Sequence, residues 1–214
     1  MARHSGILIN LIKEENIKIF AEIGVQFGIN LQKIFKSPSG DILEEYWAID
    51  SWGTGFPLVP RDGWIITAED WQDLYKGVNQ FMLRFKQIHV VRLLSVEAAE
   101  LFPDEYFDMV YIDAFHTFDA VTQDIKAWLP KVKISGILGG HDYNKKSVRR
   151  AVDGQFTAGV WEPWPAPEKM TRVWLKRRQK TDEIEKKSIF KPMGKHEVYV
   201  KNKDLNYLPK KYFR

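Results

Sequence analysis

Two glycines between a strand-like run and a helix-like run constrain this chain more than any other feature: Ala21-Glu22-Ile23-Gly24-Val25-Gln26-Phe27-Gly28. Ile17 to Ile23 alternates toward a buried strand, and Ile29-Asn30-Leu31-Gln32-Lys33-Ile34-Phe35 places apolar residues at helical spacing, so Gly24 and Gly28 fall in a strand-to-helix turn. Glycine there lets the backbone come close to a ligand, and the helix that follows offers unpaired N–H groups and a partial positive end. Such a turn suits a carboxylate or phosphate, favouring it by roughly 0.3–1 kcal/mol per charge. A turn required by packing alone would read the same way.

A second strand signal lies in register with the first. Glu45-Tyr46-Trp47-Ala48-Ile49-Asp50 ends in an acid. In a doubly wound sheet that spacing brings Asp50 beside the glycine turn, where it can accept hydrogen bonds from the two hydroxyls of a ribose. An acid capping the next turn is the competing explanation. Trp52 offers a ring for an adenine to stack on, or simple packing.

Further along, helical and strand patterns alternate, which argues for an α/β sheet. Helix-like Ser5 to Asn16 precedes the first strand. After a Gly/Pro-rich loop from Trp52 to Gly63 come a helical stretch from Glu69 to Phe85, a third strand at His89 to Leu94, a fourth at Phe107 to Asp113, a helix from Phe118 to Lys131 and a fifth strand at Gly136 to Gly140. Gly159 to Trp164 and Arg172 to Lys176 are expected to pair antiparallel at one edge, and Glu197 to Lys201 to form a further strand. The loops at Trp52 to Pro57 and Trp161 to Pro167 are aromatic-rich lid candidates.

With 214 residues, 44% of them hydrophobic, the chain can bury one full core. No apolar run is long enough for a membrane span, and the N-terminus does not read as a secretory signal, so a cytoplasmic location is expected. The absence of cysteine removes disulfides, zinc-thiolate sites and thiol nucleophiles. The net charge of +4 hides an asymmetry: residues 169–214 hold fifteen Lys and Arg against five Asp and Glu, on an acidic body. That tail could meet an anionic partner or simply be solvated.

The fourth and fifth strands carry the densest polar chemistry. Each ends in a carboxylate and a histidine: Ile112-Asp113-Ala114-Phe115-His116 and Gly140-His141-Asp142-Tyr143-Asn144. Neighbouring parallel strands would deliver Asp113, His116, His141 and Asp142 to the carboxyl edge of the sheet, where such folds bind ligands. The group could hold a divalent cation, magnesium by its oxygens or manganese or iron by its imidazoles. Without metal, His116 or His141 could take a proton from a substrate hydroxyl.

These residues together resemble the class I S-adenosylmethionine-dependent methyltransferases over roughly residues 5–156. More narrowly, DMVYIDAFHTFDAVTQDIKAWLPKVKISGILGGHDY, Asp108 to Tyr143, followed by Val148-Arg149-Arg150-Ala151-Val152, is similar to the small O-methyltransferase-like branch, with its antibiotic-sugar methyltransferases and relatives called cephalosporin hydroxylases. The resemblance implies a Rossmann-like doubly wound sheet, mostly parallel with an antiparallel edge hairpin and helices on both faces. It assigns residues 1–178 to the cofactor-binding domain and 179–214 to a basic extension packed on or completing it. It further implies that Glu22, Gly24 and Gly28 shape the methionine end of the cofactor site, that Asp50 takes the ribose, that Ser95 and Val96 lie near the adenine and that Asp113 lies near the cofactor amino group. Catechol-type relatives hold magnesium with an aspartate at the fourth strand and an Asp-Asn pair after the fifth, and carry a lysine base three residues beyond the first aspartate. Here the positions read Asp113, Asp142-Tyr143 and His116, so a metal at Asp113 and Asp142 would need His141, Asn144 or water to complete its shell.

The expected activity is therefore methyl transfer to a hydroxyl of a small-molecule acceptor, a sugar or phenol, with His116, His141 and Asp142 as catalytic residues. Three other readings stand beside it. A nucleic-acid methyltransferase would use the basic tail, a non-catalytic module would keep the scaffold alone, and a nicotinamide oxidoreductase would also suit an acid after the second strand. Against the last, Glu-x-Gly-x-x-x-Gly departs from the dinucleotide Gly-x-Gly-x-x-Gly.

Overall fold

The computed structural model describes residues 3–53, 60–61, 64–65, 67–156 and 172–182. Helix α1 (Arg3–Glu14) precedes β1 (Ile19–Ile23), which runs through the glycine turn into α2 (Ile29–Phe35) and on to β2 (Glu45–Ile49). A two-residue hairpin, β3 (Pro60–Arg61) with β4 (Trp64–Ile65), leads to α3 (Ala68–Met82) and β5 (Ile88–Val91). Then follow α4 (Ser95–Ala99), β6 (Phe107–Ile112), α5 (Phe118–Trp128), β7 (Val132–Gly140), α6 (Lys146–Gln155) and β8 (Trp174–Arg177). Thr67 caps α3 in a reciprocal box with Asp70, and Thr117 caps α5 through the Ala120 N–H.

Six strands form one sheet in the order β5-β2-β1-β6-β7-β8, parallel except for β8. Strict alternation along each strand sorts its side chains onto two cores. Phe20, Tyr46, Val90 and Met109 meet Leu8, Leu31, Val78 and Met82 from α1, α2 and α3. Ile23, Trp47, Val91 and Val110 meet Ala98, Ile125, Trp128 and Val152 from α4, α5 and α6. Helices thus cover both faces, which is why the strands read as near-continuous apolar runs.

The chain turns outward from β1 through β2 to β5, then crosses back to β6 on the other side of β1. In open α/β sheets such a reversal is where the ligand crevice lies, here above the carboxyl ends of β1 and β6. The ladder continues one residue past the strands: Asp50 N–H donates to Val91 O (3.2 Å), Gly24 N–H to Ile49 O (2.8 Å), Asp113 N–H to Ile23 O (2.7 Å) and His141 N–H to Ile112 O (2.9 Å). Asp50, Gly24, Asp113 and His141 are therefore held level along one edge.

The expected antiparallel edge exists, but β8 pairs with β7 itself. Gly159 to Trp164, Glu197 to Lys201 and most of both lid candidates lie outside the described residues. So does residue 183 onward of the basic extension, whose described start is tied back by Asp182 to Lys176 (3.3 Å). Among the described residues no helix is long and apolar enough to cross a membrane.

Candidate functional site

The glycine turn forms one wall of the crevice. Gly24 has φ +91°, and a Cβ there would fall 2.2 Å from the Asp113 carbonyl oxygen, so only glycine lets the β1 and β6 loops approach this closely. Gly28, at φ +66°, caps α2 in the left-handed region, with Val78 Cγ1 3.0 Å from where a Cβ would sit. Gln26 is also left-handed at φ +45°, which aims its N–H at Asp50 Oδ2 (2.9 Å). The other Asp50 oxygen accepts from the Trp52 N–H at 2.7 Å. Burial pushes the Asp50 carboxyl above its ordinary value, against these two backbone bonds, nearby Arg92 and a third backbone bond from Val25. A carboxylate has about four acceptor positions, so one remains for a further hydroxyl.

Glu22 lies directly beneath the turn, 1% exposed. Asn30 Nδ2 donates to Oε1 at 2.8 Å, Tyr46 bonds the other oxygen through its hydroxyl, and Ser5 Oγ donates to Asn30 Oδ1 at 2.7 Å. Burial raises the Glu22 carboxyl to about 8 despite those bonds. Glu22 thus shapes the turn from below, through Asn30 at its helical end. Asn30 and Tyr46 carried no functional signal in the sequence, each reading as part of an apolar pattern.

Trp52 is placed differently from a stacking platform. It is 0% exposed, its ring centroid lies 5.0 Å from that of Tyr75, and its Nε1 donates to Gln26 O at 3.1 Å. Its contacts are those of a core residue bracing the Gly24–Gly28 loop, with no ring face left for adenine. Ser95 and Val96 stand at the next strand end, half-buried, where Trp128 Nε1 donates to Ser95 Oγ at 2.9 Å.

The opposite wall brings four predicted residues together. His116 Nε2 lies 2.7 Å from Asp142 Oδ2 and 3.6 Å from Asp113 Oδ1. His141 Nδ1 lies 3.5 Å from Asp142 Oδ2 and 3.7 Å from Asp113 Oδ1. Lys145, which the sequence reading passed over although it stands three residues beyond Asp142, reaches the same Oδ2 at 3.0 Å. Asp142 itself adopts φ +56° to turn its carboxylate inward. Burial alone would raise that carboxyl, but hydrogen bonds from His116, His141 and Lys145 outweigh it and hold Asp142 well below the usual carboxylate range. His116 is pushed the other way: the neighbouring carboxylates of Asp113 and then Asp142 raise its pKa against partial burial. Ser147 Oγ donates to the His116 carbonyl at 2.6 Å and fixes the loop.

Asp113, His141 and Asp142 each offer an atom within 4.8 Å of the others, a donor set of two carboxylates and an imidazole that fits a divalent cation. Tyr143 is turned away, donating its hydroxyl to Asp153 at 2.7 Å, and Asn144 is exposed.

A family model described as a methyltransferase domain matches residues 21–143, from the glycine turn to the end of the His141-Asp142 pair. The uncharacterized protein y4gI of Sinorhizobium fredii is 23% identical over 166 residues, covering 76% of this chain and 16% of its own length, so this chain spans about a sixth of that relative. Among solved structures, the O-methyltransferase NovP superposes with a TM-score of 0.57 at 15% identity, over 83% of this chain and 78% of that one. The N-methyltransferase NodS from Bradyrhizobium japonicum gives 0.53 at 12% identity, over 83% and 95%. The spermidine synthase from Thermotoga maritima gives 0.52 at 14%, over 84% and 60%, so at this distance the likeness is one of fold. The domain match covers more than half of the sequence, and the chain belongs to the methyltransferase-domain family, on the class I fold its glycine turn announces.

Proposed function

We propose that the chain is an S-adenosylmethionine-dependent O-methyltransferase acting on a hydroxyl of a small molecule, a sugar or a phenol. The observation that carries this reading is that one sheet edge holds a glycine turn beside the Asp50 carboxylate on one side and the His116 imidazole against Asp142 on the other. S-Adenosylmethionine, when bound, supplies an electrophilic methyl group. Gly24 and Gly28, braced from below by Glu22, would accommodate its methionine end, Asp113 its amino group, Asp50 its ribose, and Ser95 with Val96 its adenine.

His116 is the general base. Its imidazole takes the proton of the acceptor hydroxyl, and Asp113 and Asp142 orient the ring and stabilise the imidazolium that results. His141 and Lys145 hold Asp142 ionised for that task. Positioning of the acceptor can contribute roughly 7–11 kcal/mol, and the base a factor of about 10²–10⁴. A divalent cation on Asp113, His141 and Asp142 would add Lewis-acid polarisation of the acceptor oxygen.

The test is a melting curve with and without S-adenosylhomocysteine. Ligand at about 100 times its dissociation constant stabilises by roughly 2.7 kcal/mol, a rise of roughly 5–11 °C for a domain of this size. No rise, in protein free of carried-over cofactor, would remove the cofactor assignment. Turnover of sugar and phenol acceptors with magnesium and with chelator then decides the metal: equal rates would leave His116 as the whole of the acid–base machinery.

A further inference from the structure

A carboxylate that proton transfer does not use lies buried behind the site. Asp124 is 4% exposed and shares its face of α5 with Val121, Ile125 and Trp128. Its side-chain hydrogen bond is to Ser95, and Trp128, four residues on, donates from Nε1 to that same Ser95 Oγ at 2.9 Å. A hydroxyl has one hydrogen and two lone pairs, so with Trp128 donating to its oxygen, Ser95 still has its hydrogen to give to Asp124 or a lone pair to accept the proton of the Asp124 acid. The Ser95 side chain is thereby clamped from two positions of α5. Ser95 opens α4 with three residues between it and β5, and Leu94 before it makes no side-chain cap, so this clamp adds a polar tie to the apolar ones of Leu93, Ala98 and Ala99. A buried carboxyl costs stability that an apolar residue at the same helix position would not.

We infer that Asp124 is a positioning residue for the adenosine end of the cofactor site: through the Ser95 hydroxyl, held between Asp124 and Trp128, it fixes the backbone of Ser95 and Val96 at the rim of the crevice. The inference rests on the methyltransferase reading above. Asp124 touches no ligand; it acts through Ser95, so its loss weakens cofactor binding without slowing the chemical step.

The experiment is calorimetric titration of S-adenosylhomocysteine and of 5′-methylthioadenosine, which keeps only the adenosine half, into wild type, Asp124→Ala, Asp124→Asn, Ser95→Ala and the Asp124→Ala/Ser95→Ala double variant. Asp124→Ala is expected to weaken both ligands by about tenfold, the scale of one lost buried hydrogen bond. Asparagine, which can still hydrogen-bond Ser95, restores affinity, the double variant is no worse than the worse single one, and turnover of Asp124→Ala at saturating cofactor stays within about twofold of wild type. A folded Asp124→Ala protein with wild-type affinity, or one that loses affinity for S-adenosylhomocysteine but not for methylthioadenosine, overturns the inference. Should Asp124→Ala fail to fold, Ser95→Ala severs the same link, and wild-type affinity in that variant overturns it equally. Wild-type protein that binds neither ligand defeats the methyltransferase reading and this inference with it, an outcome distinct from binding that the variants leave untouched.

Discussion

Asp142 occupies a conformation that costs a non-glycine residue roughly 1–2 kcal/mol, and in return its carboxylate meets two imidazoles and a lysine. Asparagine enters the left-handed region more readily than most residues and keeps the size of the side chain, so Asp142→Asn should fold normally while losing the charge that orients His116. We expect it to reduce turnover by about 10²-fold or more, and His116→Ala by about 10²–10⁴-fold, the span of general-base effects. Both should leave the affinity for S-adenosylhomocysteine within about threefold of wild type, since neither residue belongs to the glycine-turn wall. Titration calorimetry beside steady-state turnover checks this, and a His116→Ala enzyme as fast as wild type would exclude the base. These residues were legible in the sequence because carboxylates and histidines at two neighbouring strand ends have one edge to converge on. Trp52 was not legible, because the ring that covers it, Tyr75, belongs to a helix two loops later. Asp124 was silent for a similar reason: a single acid in an amphipathic helix reads as its solvent face until the burial of its neighbours is known.

At the scale of elements, the turn joining β1 to α2 is the most tightly specified piece of backbone. Three of its residues, Gly24, Gln26 and Gly28, have positive φ, and the added Cβ of Gly24→Ala would fall 2.2 Å from the Asp113 carbonyl, where backbone cannot step aside cheaply. That substitution should separate the ends of β1 and β6 and abolish measurable S-adenosylhomocysteine stabilisation, with a loss of at least about 1–3 kcal/mol in urea unfolding. Gly77→Ala, a glycine in α3 with open space where its Cβ would go, is the control and should be neutral or stabilising by up to about 1 kcal/mol. Equal ligand responses in the two variants would show that the close approach is not what the site requires. The strands and the longer helices followed from periodicity, because both faces of the sheet are covered and each helix presents one apolar stripe. The five residues of α4 are too few for a period to register, and α6 buries only Val148, Ala151 and Val152 among charged neighbours, so its sequence reads as surface.

For the whole molecule, the buried acids set a dependence of stability on pH. Glu22 is raised to about 8 and Asp124 to about 7 by burial, so each holds a proton in the folded chain that the unfolded chain has already released. Between the ordinary carboxyl range near 4 and those raised values the folded state binds more protons, and stability falls as pH rises, by at most about 1.4 kcal/mol per pH unit for each group. Asp142 contributes with the opposite sign: its depressed carboxyl adds stability above the ordinary value that is lost in acid. The three together place the maximum on the acid side of neutrality, and urea unfolding at pH 5.5, 6.5 and 7.5 should show a steady decline. Glu22→Gln isolates the largest contribution. The amide keeps an acceptor for Asn30 and can donate to the Tyr46 hydroxyl, while nothing is left to ionise, so the variant should lose part of the slope and exceed wild type in stability by a margin that grows with pH. A variant with the wild-type slope would mean that Glu22 is ionised in the folded protein, with the Tyr46 and Asn30 bonds and the amides of the turn carrying its charge. In that case the ionised Glu22 would repel an anionic group at the turn above it, and salt would strengthen cofactor binding where the neutral form predicts no effect.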